Sequence, residues 1–209
     1  MSLAGGLAGE LAGELERVAG PRLDELSGQP PIAALARNPV SARDYRNALV
    51  SLHGFCRSLE PILLARPEWH PQQDLGLPPG GRLRLLEQDL CLLGAPRGST
   101  APLSYLPPLT GFPEHAGACW CLARAPLTGG NGVQLMNGAL PEECHRARSF
   151  IAWQCQAQPA EEVGNLLEPL VADQEATRRT LAAARATADG LRRWLQENAD
   201  TGMVVERRH

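Results

Sequence analysis

The sequence predicts an all-α fold built as a single domain. Leu occurs 33 times and Ala 29 times among the 209 residues, against 3 Ile, 8 Val and 7 Thr. Leu and Ala lose little side-chain freedom in a helix, whereas β-branched residues favour strands. The length also fits one domain better than two. We therefore expect one helical domain over residues 1–209, with its core over about 11–196 and a flexible tail at 198–209, and we exclude a β-sandwich or a parallel α/β sheet.

Three helices are expected in the first half of the chain. Leu3, Leu7, Leu11, Leu15, Val18, Leu23 and Leu26 recur at helical spacing and predict a first amphipathic helix. Ser41-Ala42-Arg43-Asp44 resembles a capping box and predicts a second helix that ends before Pro67. Leu83, Leu86, Leu90 and Leu93 share one face of a third helix, which Gly94 would close.

The second half is richer in Pro and Gly. Residues 95–112 are expected to form a long surface connection, and a compact apolar segment follows from Glu114 to Leu122. The run Thr128-Gly129-Gly130-Asn131-Gly132 then interrupts a helical pattern. Pro141, with Glu142 and Glu143, and Pro159, with Glu161 and Glu162 after Ala160, mark the starts of two further helices. The second of these is expected to be long, because its apolar stripe extends from Val163 to Leu195.

Charge and residue usage exclude several function classes. All 20 basic residues are Arg, so the Lys of a phosphate-binding loop, a kinase or a pyridoxal enzyme is absent. A formal charge of -3, with Arg scattered along the chain, argues against nucleic acid and anionic membranes as partners. With no apolar run of membrane-spanning length, no signal peptide and six Cys expected to be reduced, we predict a soluble cytoplasmic protein.

Few residues show the spacing of a catalytic or metal site. The five His form no zinc-binding pair, and Cys119-Trp120-Cys121 has one intervening residue where zinc and redox motifs have two. His53 lies in the apolar stripe of the second helix. Two interpretations stay open, a core residue with its hydrogen bonds satisfied and a residue that binds a ligand. Gly129 and Gly130 allow close approach to the backbone, which serves helix packing, a bend, or a flat ligand.

Taken in order along the chain, several segments resemble the haem oxygenase family. Tyr45, Ser51-Leu52 and Leu59-Glu60 resemble its second helix. Its Leu-Leu-x-x-Asp-Leu-x-x-Leu-Gly run is resembled by Arg82, Leu85-Leu86, Asp89-Leu90 and Leu93-Gly94. Leu127-Thr128-Gly129-Gly130 is similar to the end of the family's distal helix, and Phe150 and Trp153 fall where its next aromatic helix lies. The resemblance implies a haem-oxygenase-like helical bundle with a pocket between the first helix and the Gly-containing helix.

The resemblance also implies a ligand and an activity. A family member cleaves haem to biliverdin, with an electron donor as partner, and Thr128, Gly129, Gly130, Arg124 and His53 become the candidate ligand-binding residues. Two family features are missing. Gly20 or Pro21 stands where the family has the His that ligates iron, and Arg124-Ala125-Pro126 replaces the polar distal motif. The alternative is therefore a non-catalytic member that binds a tetrapyrrole, another flat apolar ligand or a protein partner. If haem is bound, His53, His115, His145, Cys56 and Cys119 are the remaining iron-ligand candidates.

Overall fold

The computed structural model describes residues 9–65, 81–95, 106–128, 130–157, 160–171 and 173–200, which form helices and connections without any strand. The all-α prediction is confirmed. None of the helices in these ranges combines the length and the apolar character needed to cross a bilayer. The helices are α1 (Glu10–Asp24), α2 (Pro30–Ala33), α3 (Ala42–Leu64), α4 (Gly81–Leu92), α5 (Phe112–Arg124), α6 (Gly132–Gln134), α7 (Ser149–Gln154), α8 (Ala160–Leu167) and α9 (Gln174–Asp200).

Helix α3 begins where the sequence predicts. The Ser41 hydroxyl accepts a hydrogen bond from the Asp44 backbone N–H at 3.0 Å, which satisfies one of the unpaired donors at the helix N-terminus. Helix α4 ends near Gly94, whose φ of +67° is the left-handed conformation typical of a helix C-terminus. Leu3 and Leu7 of the predicted first helix, and residues 201–209 of the predicted tail, lie outside the described residues.

Helices α5 and α9 pack closely against each other. Gly117 of α5 lies against the backbone of Thr180 and Ala184, so that no side chain fits between the two helices there. The Cys121 thiol donates to the Ala184 carbonyl at 2.8 Å. Trp194, nearer the end of α9, donates from Nε1 to the Ser51 carbonyl of α3 at 2.7 Å. Helix α9 is therefore fixed to two helices from different parts of the chain.

Two predicted helices are shorter than expected. The segment from Pro141 forms a 3₁₀ turn over Glu142–Cys144, and a separate helix, α7, begins at Ser149. The long final helix is divided into α8 and α9, joined through a 3₁₀ turn at Glu168–Leu170. Pro169 lies in that turn and cannot donate to a continuing α-helix. A new N-terminus then forms at α9, where the Asp173 side chain accepts from the Ala176 N–H at 2.7 Å.

The glycine run also differs from a continuous helix. Helix α5 ends at Arg124, and Ala125 is extended, with a ψ of 126°. The steric requirement of Pro126 explains this, because a residue before proline is disfavoured in the helical conformation. Thr128 and Gly130 lie in a turn before the short helix α6, and Gly129 lies outside the described residues.

Candidate functional site

The first polar cluster joins the end of α5 to α1. The Arg124 guanidinium donates to both carboxylate oxygens of Glu16 at 2.8 Å, and also to Asp24 Oδ1 at 2.8 Å. The hydrogen bonds to Glu16, supported by Asp24, raise the pKa of Arg124 above its usual value. We call these three residues the Arg124 cluster. It ties the end of α5 to two positions of α1 that lie about two turns apart.

The Arg124 cluster covers the position where the resemblance implies an iron-ligating His. Gly20 is buried within α1, and a Cβ atom built there would lie 2.5 Å from Glu16 Oε1. The Glu16 carboxylate thus occupies the space that a side chain at position 20 would need. Gly20 and Arg124 were predicted on opposite sides of a pocket, and both contact the same carboxylate.

Thr128 and Gly130 occupy different environments within one turn. Thr128 is buried, and its carbonyl accepts from the Asn131 N–H at 3.1 Å, whereas Gly130 is exposed with a φ of +76°. The glycine that permits close packing is Gly132. A Cβ atom there would lie 2.8 Å from the Cys155 sulfur and 3.3 Å from the Thr128 hydroxyl. Close packing of α6 on the end of α7 therefore accounts for one glycine of the run.

His53 lies between α3 and α4, where it faces a carboxylate. Its Nε2 is 3.6 Å from Glu87 Oε1, and 8% of the residue is exposed. Burial lowers the pKa of His53 below its ordinary value, and the opposing attraction of Glu87 is smaller. The contact of His53 with Glu87 joins α3 to α4, whereas the Arg124 cluster joins α5 to α1.

The other iron-ligand candidates are engaged or protonated. His115 Nδ1 is hydrogen-bonded to the Gly111 carbonyl, and His145 Nε2 to the Leu140 carbonyl. Burial raises the pKa of the Cys119 thiol to about 12 and raises that of Cys56 as well, which disfavours the thiolate that binds metals. Within the described ranges, no three His, Cys, Asp or Glu side chains converge as a metal site would require. None of these residues lies at position 20 or 21, where the family has its iron-ligating His.

A second polar cluster, which sequence reasoning missed, lies between α3 and α4. Glu60 and Arg82 are 1% and 4% exposed, and Glu60 Oε1 accepts from Arg82 Nη1 at 3.3 Å. The same carboxylate accepts from the backbone N–H groups of Arg82 at 2.9 Å and Leu83 at 2.7 Å. It therefore caps the N-terminus of α4 as well as pairing with a buried cation. We call these two residues the buried ion pair.

Gly81 makes this cap possible. Its φ is +71°, and a Cβ atom there would lie 2.7 Å from Glu60 Oε2. Glycine adopts a positive φ without the steric cost that other residues pay. The Glu60 carboxylate can therefore approach the first turn of α4 directly.

Arg82 also forms the polar wall of a small groove. Its guanidinium carbon lies 4.9 Å from the centre of the Trp153 ring, which is a cation–π distance. Gln154 lines the groove beside Trp153, and Cys119, Ala123, Ala157 and Val163 form its apolar sides. The interior has room for about one water molecule. We call this the Arg82 groove.

Two buried polar atoms of the Arg82 groove lack hydrogen-bond partners. Within the described part of the chain, Arg82 Nε and Gln154 Oε1 are both buried and unpaired. Glu60 accepts from Arg82 Nη1 and from two backbone N–H groups, but not from Arg82 Nε. An unpaired buried polar group is costly, and such groups commonly mark a missing water or ligand.

A second buried carboxylate continues the same pattern. Asp89, near the end of α4, accepts from the backbone N–H groups of Ser149 at 3.0 Å and Phe150 at 2.9 Å. It therefore caps α7, which carries Trp153 and Gln154. Burial raises the pKa of Asp89, although these hydrogen bonds oppose the change. Glu60 and Asp89 together position both polar walls of the Arg82 groove.

Comparison with known proteins adds no relative: no family model, no curated protein and no solved structure matches this chain. The function must therefore be inferred from the residues and their geometry.

Proposed function

We propose that this chain is a haem-oxygenase-like protein that does not cleave haem and instead binds a tetrapyrrole or another flat apolar ligand without turnover. The observation that supports this most is the position of Glu16 over Gly20, held there by Arg124. Haem cleavage requires an axial ligand on the iron and hydrogen-bonding groups around bound oxygen. An ion pair beside Gly20, where the resemblance implies the axial His, supplies neither.

The distal side supports the same proposal. Ala125 and Pro126 follow Arg124 where the family has a polar motif, and neither side chain offers a hydrogen bond to bound oxygen. Arg124 already donates from Nε and Nη2 to Glu16 and Asp24. The ligand class itself rests on the resemblance along the sequence, with Thr128 and Gly130 as the residues of the Gly-rich turn that would meet a flat molecule. A binding role of this kind requires no electron donor.

The direct test is to add hemin to the purified full-length protein with ascorbate, oxygen and catalase, and to follow the absorbance spectrum. We expect no stoichiometric formation of biliverdin. A parallel titration with biliverdin is expected to change its absorbance on binding, since a flat ligand without a metal needs no iron ligand. Conversion of hemin to biliverdin would overturn the non-catalytic proposal. Absence of binding by both molecules would overturn the proposed ligand class.

A cytoplasmic location is part of this proposal. All six cysteines are free thiols, and Cys91 and Cys155 are exposed. Exposed thiols persist in a reducing compartment, whereas an oxidising one favours disulfides. Fractionation of cells followed by thiol labelling should find the protein with six reactive thiols under denaturing conditions in the cytoplasmic fraction. Recovery of an oxidised form from another compartment would contradict this location.

A further inference from the structure

Two exposed leucines lie at the end of α8. Leu166 is 42% exposed, and Leu170, in the 3₁₀ turn that follows the helix, is 49% exposed. Val163 and Leu167 are buried, so α8 turns its other apolar side chains to the core. Single exposed apolar residues are ordinary, whereas neighbouring ones offer a surface that another apolar group can cover. We call the two exposed leucines, which are about one helical turn apart, the Leu166–Leu170 surface.

The chain enters α1 directly beside this surface. The Gly9 backbone N–H donates to Glu168 Oε2 at 2.7 Å, and Glu168 lies in the sequence midway between the two exposed leucines. Gly9 has a φ of +102°, which is not helical, so α1 begins at Glu10. The hydrogen bond to Glu168 therefore fixes the point at which residues 1–8 join the fold.

Residues 1–8 lie outside the described residues, and their sequence suits an apolar surface. They contain no charged side chain and carry two leucines, Leu3 and Leu7. An extended chain can place the Cα atoms of Leu7 and Leu3 up to about 7 Å and about 20 Å from that of Gly9. Each leucine of the Leu166–Leu170 surface is two helical positions from Glu168, which is about 5 to 6 Å between Cα atoms. Both leucines of the segment can therefore reach the surface.

The small size of the surface favours a tethered segment over a separate molecule. Stable association between separate chains buries about 1,000 Å² or more, and two partly exposed leucines supply a small part of that area. A segment joined to the fold at Gly9 is held near the surface at an effective concentration of about the millimolar range, so a few apolar contacts suffice. The absence of charge in residues 1–8 also means that no ionised side chain has to lose its hydration there.

We propose that residues 1–8 bind the Leu166–Leu170 surface of their own chain, with Leu3 and Leu7 covering the two exposed leucines. The segment then extends an existing contact between α1 and α8, where a Cβ atom on Gly164 would lie 2.6 Å from the Cβ atom of Ala12. The bound segment shields the surface from other molecules. The proposal uses no residue of the Arg124 cluster or of the Gly-rich turn, so it does not depend on the proposed ligand.

Thiol labelling of the full-length chain measures whether the surface is covered. The background variant is Cys91→Ser/Cys155→Ser, which removes the two exposed thiols and leaves the buried ones. Leu170→Cys then places a thiol on the surface, and Leu92→Cys is the matched control, since Leu92 of α4 is 52% exposed against 49% for Leu170. We expect a maleimide to label Leu170→Cys about tenfold more slowly than Leu92→Cys, because burial of apolar side chains favours the bound segment by about that factor.

Removal of the two leucines of the segment should expose the surface. Leu3→Ser/Leu7→Ser is expected to raise the labelling rate of Leu170→Cys about tenfold and to leave that of Leu92→Cys unchanged. The same comparison with Leu166→Cys repeats the test at a second position, so the result does not depend on one variant. A labelling rate of the surface thiols that does not respond to Leu3→Ser/Leu7→Ser would overturn the proposal. Protection that increases with protein concentration would assign the surface to a second copy of the chain and would overturn it as well.

Discussion

The buried ion pair and the Arg124 cluster both join an Arg to carboxylate side chains, but the first is buried and the second is exposed to solvent. Glu60 and Arg82 are almost wholly inaccessible, whereas the side chains of Glu16 and Asp24 are 49% and 64% exposed around an Arg124 that is 24% exposed. The exposed cluster has the shorter ion-pair distance, 2.8 Å against 3.3 Å. Distance therefore does not rank their importance, because solvent replaces a lost partner at the surface and cannot do so in the core.

The largest expected effect comes from removing one carboxylate in each region. Glu60→Leu leaves Arg82 buried without a counter-charge and leaves two backbone donors of α4 unpaired, so we expect a loss of about 3–5 kcal/mol in the free energy of unfolding. Glu16→Leu is the matched change in the Arg124 cluster and should cost no more than about 1 kcal/mol. Urea denaturation measures both. Equal losses would remove the distinction between the two regions.

Each region has a glycine next to its Glu carboxylate, Gly81 beside Glu60 and Gly20 beside Glu16, and substituting these glycines gives the next comparison. Gly81→Ala places a Cβ atom against Glu60 and forces a non-glycine residue into a positive φ, which alone costs about 1–2 kcal/mol. Gly20→Ala also meets a carboxylate, but Glu16 can turn into solvent, and Ala is favoured over Gly in a helix by up to about 1 kcal/mol. Its net effect should lie within about 1 kcal/mol of zero. Thermal melts would contradict the account if Gly20→Ala proved the more damaging.

Ionic strength should change the stability lost on substituting the Arg in one region but not in the other, and this effect is smaller than those above. Arg124→Leu is expected to cost about 1 kcal/mol at low ionic strength, and 1 M NaCl should remove most of that loss, because the Debye length falls to about 3 Å. Arg82→Leu leaves Glu60 buried without its cation, so its loss should persist at high salt. A salt-insensitive Arg124→Leu would show that the Arg124 cluster is shielded from solvent.

The smallest expected effect is a change in pH dependence at His53, which lies between α3 and α4 like the buried ion pair. Its folded-state pKa is lowered from 6.5, mainly by burial, so the unfolded chain binds the proton more readily. The stability that neutral His53 contributes is thus fully present above pH 6.5 and falls as the pH decreases through the lowered folded-state pKa. His53→Gln should flatten this part of the stability profile. An unchanged profile between pH 7 and about 5 would contradict the assignment.

The sequence was most informative where structure depends on near neighbours. The cap at Ser41 and the left-handed Gly94 follow from local preferences and were predicted correctly. Pro169 was a local signal for the division between α8 and α9 that the apolar stripe concealed. Glu60 and Arg82 are separated by 22 positions, and only packing of α3 on α4 makes them partners. Composition and spacing therefore could not identify the Arg82 groove. Gly81, directly before Arg82, is a local signal that another group approaches the backbone closely there.

The candidate residues near the glycine run were predicted from resemblance, and their placement needed the structure. Sequence alone locates Gly20 and Arg124, but it does not reveal that Glu16 joins them across 108 positions. That contact changes the interpretation of Gly20 from a missing ligand to a position closed by a neighbouring carboxylate.

The most direct test of this closure is the absorbance spectrum of hemin added to the wild-type protein, to Gly20→His, and to the double variant Glu16→Ala/Gly20→His. We predict no histidine-ligated haem spectrum with wild type, a weak one with Gly20→His because the imidazole must displace Glu16 from its ion pair with Arg124, and a stronger one with the double variant. Circular dichroism confirms that each variant is folded. A histidine-ligated spectrum as strong with Gly20→His alone as with the double variant would contradict the account.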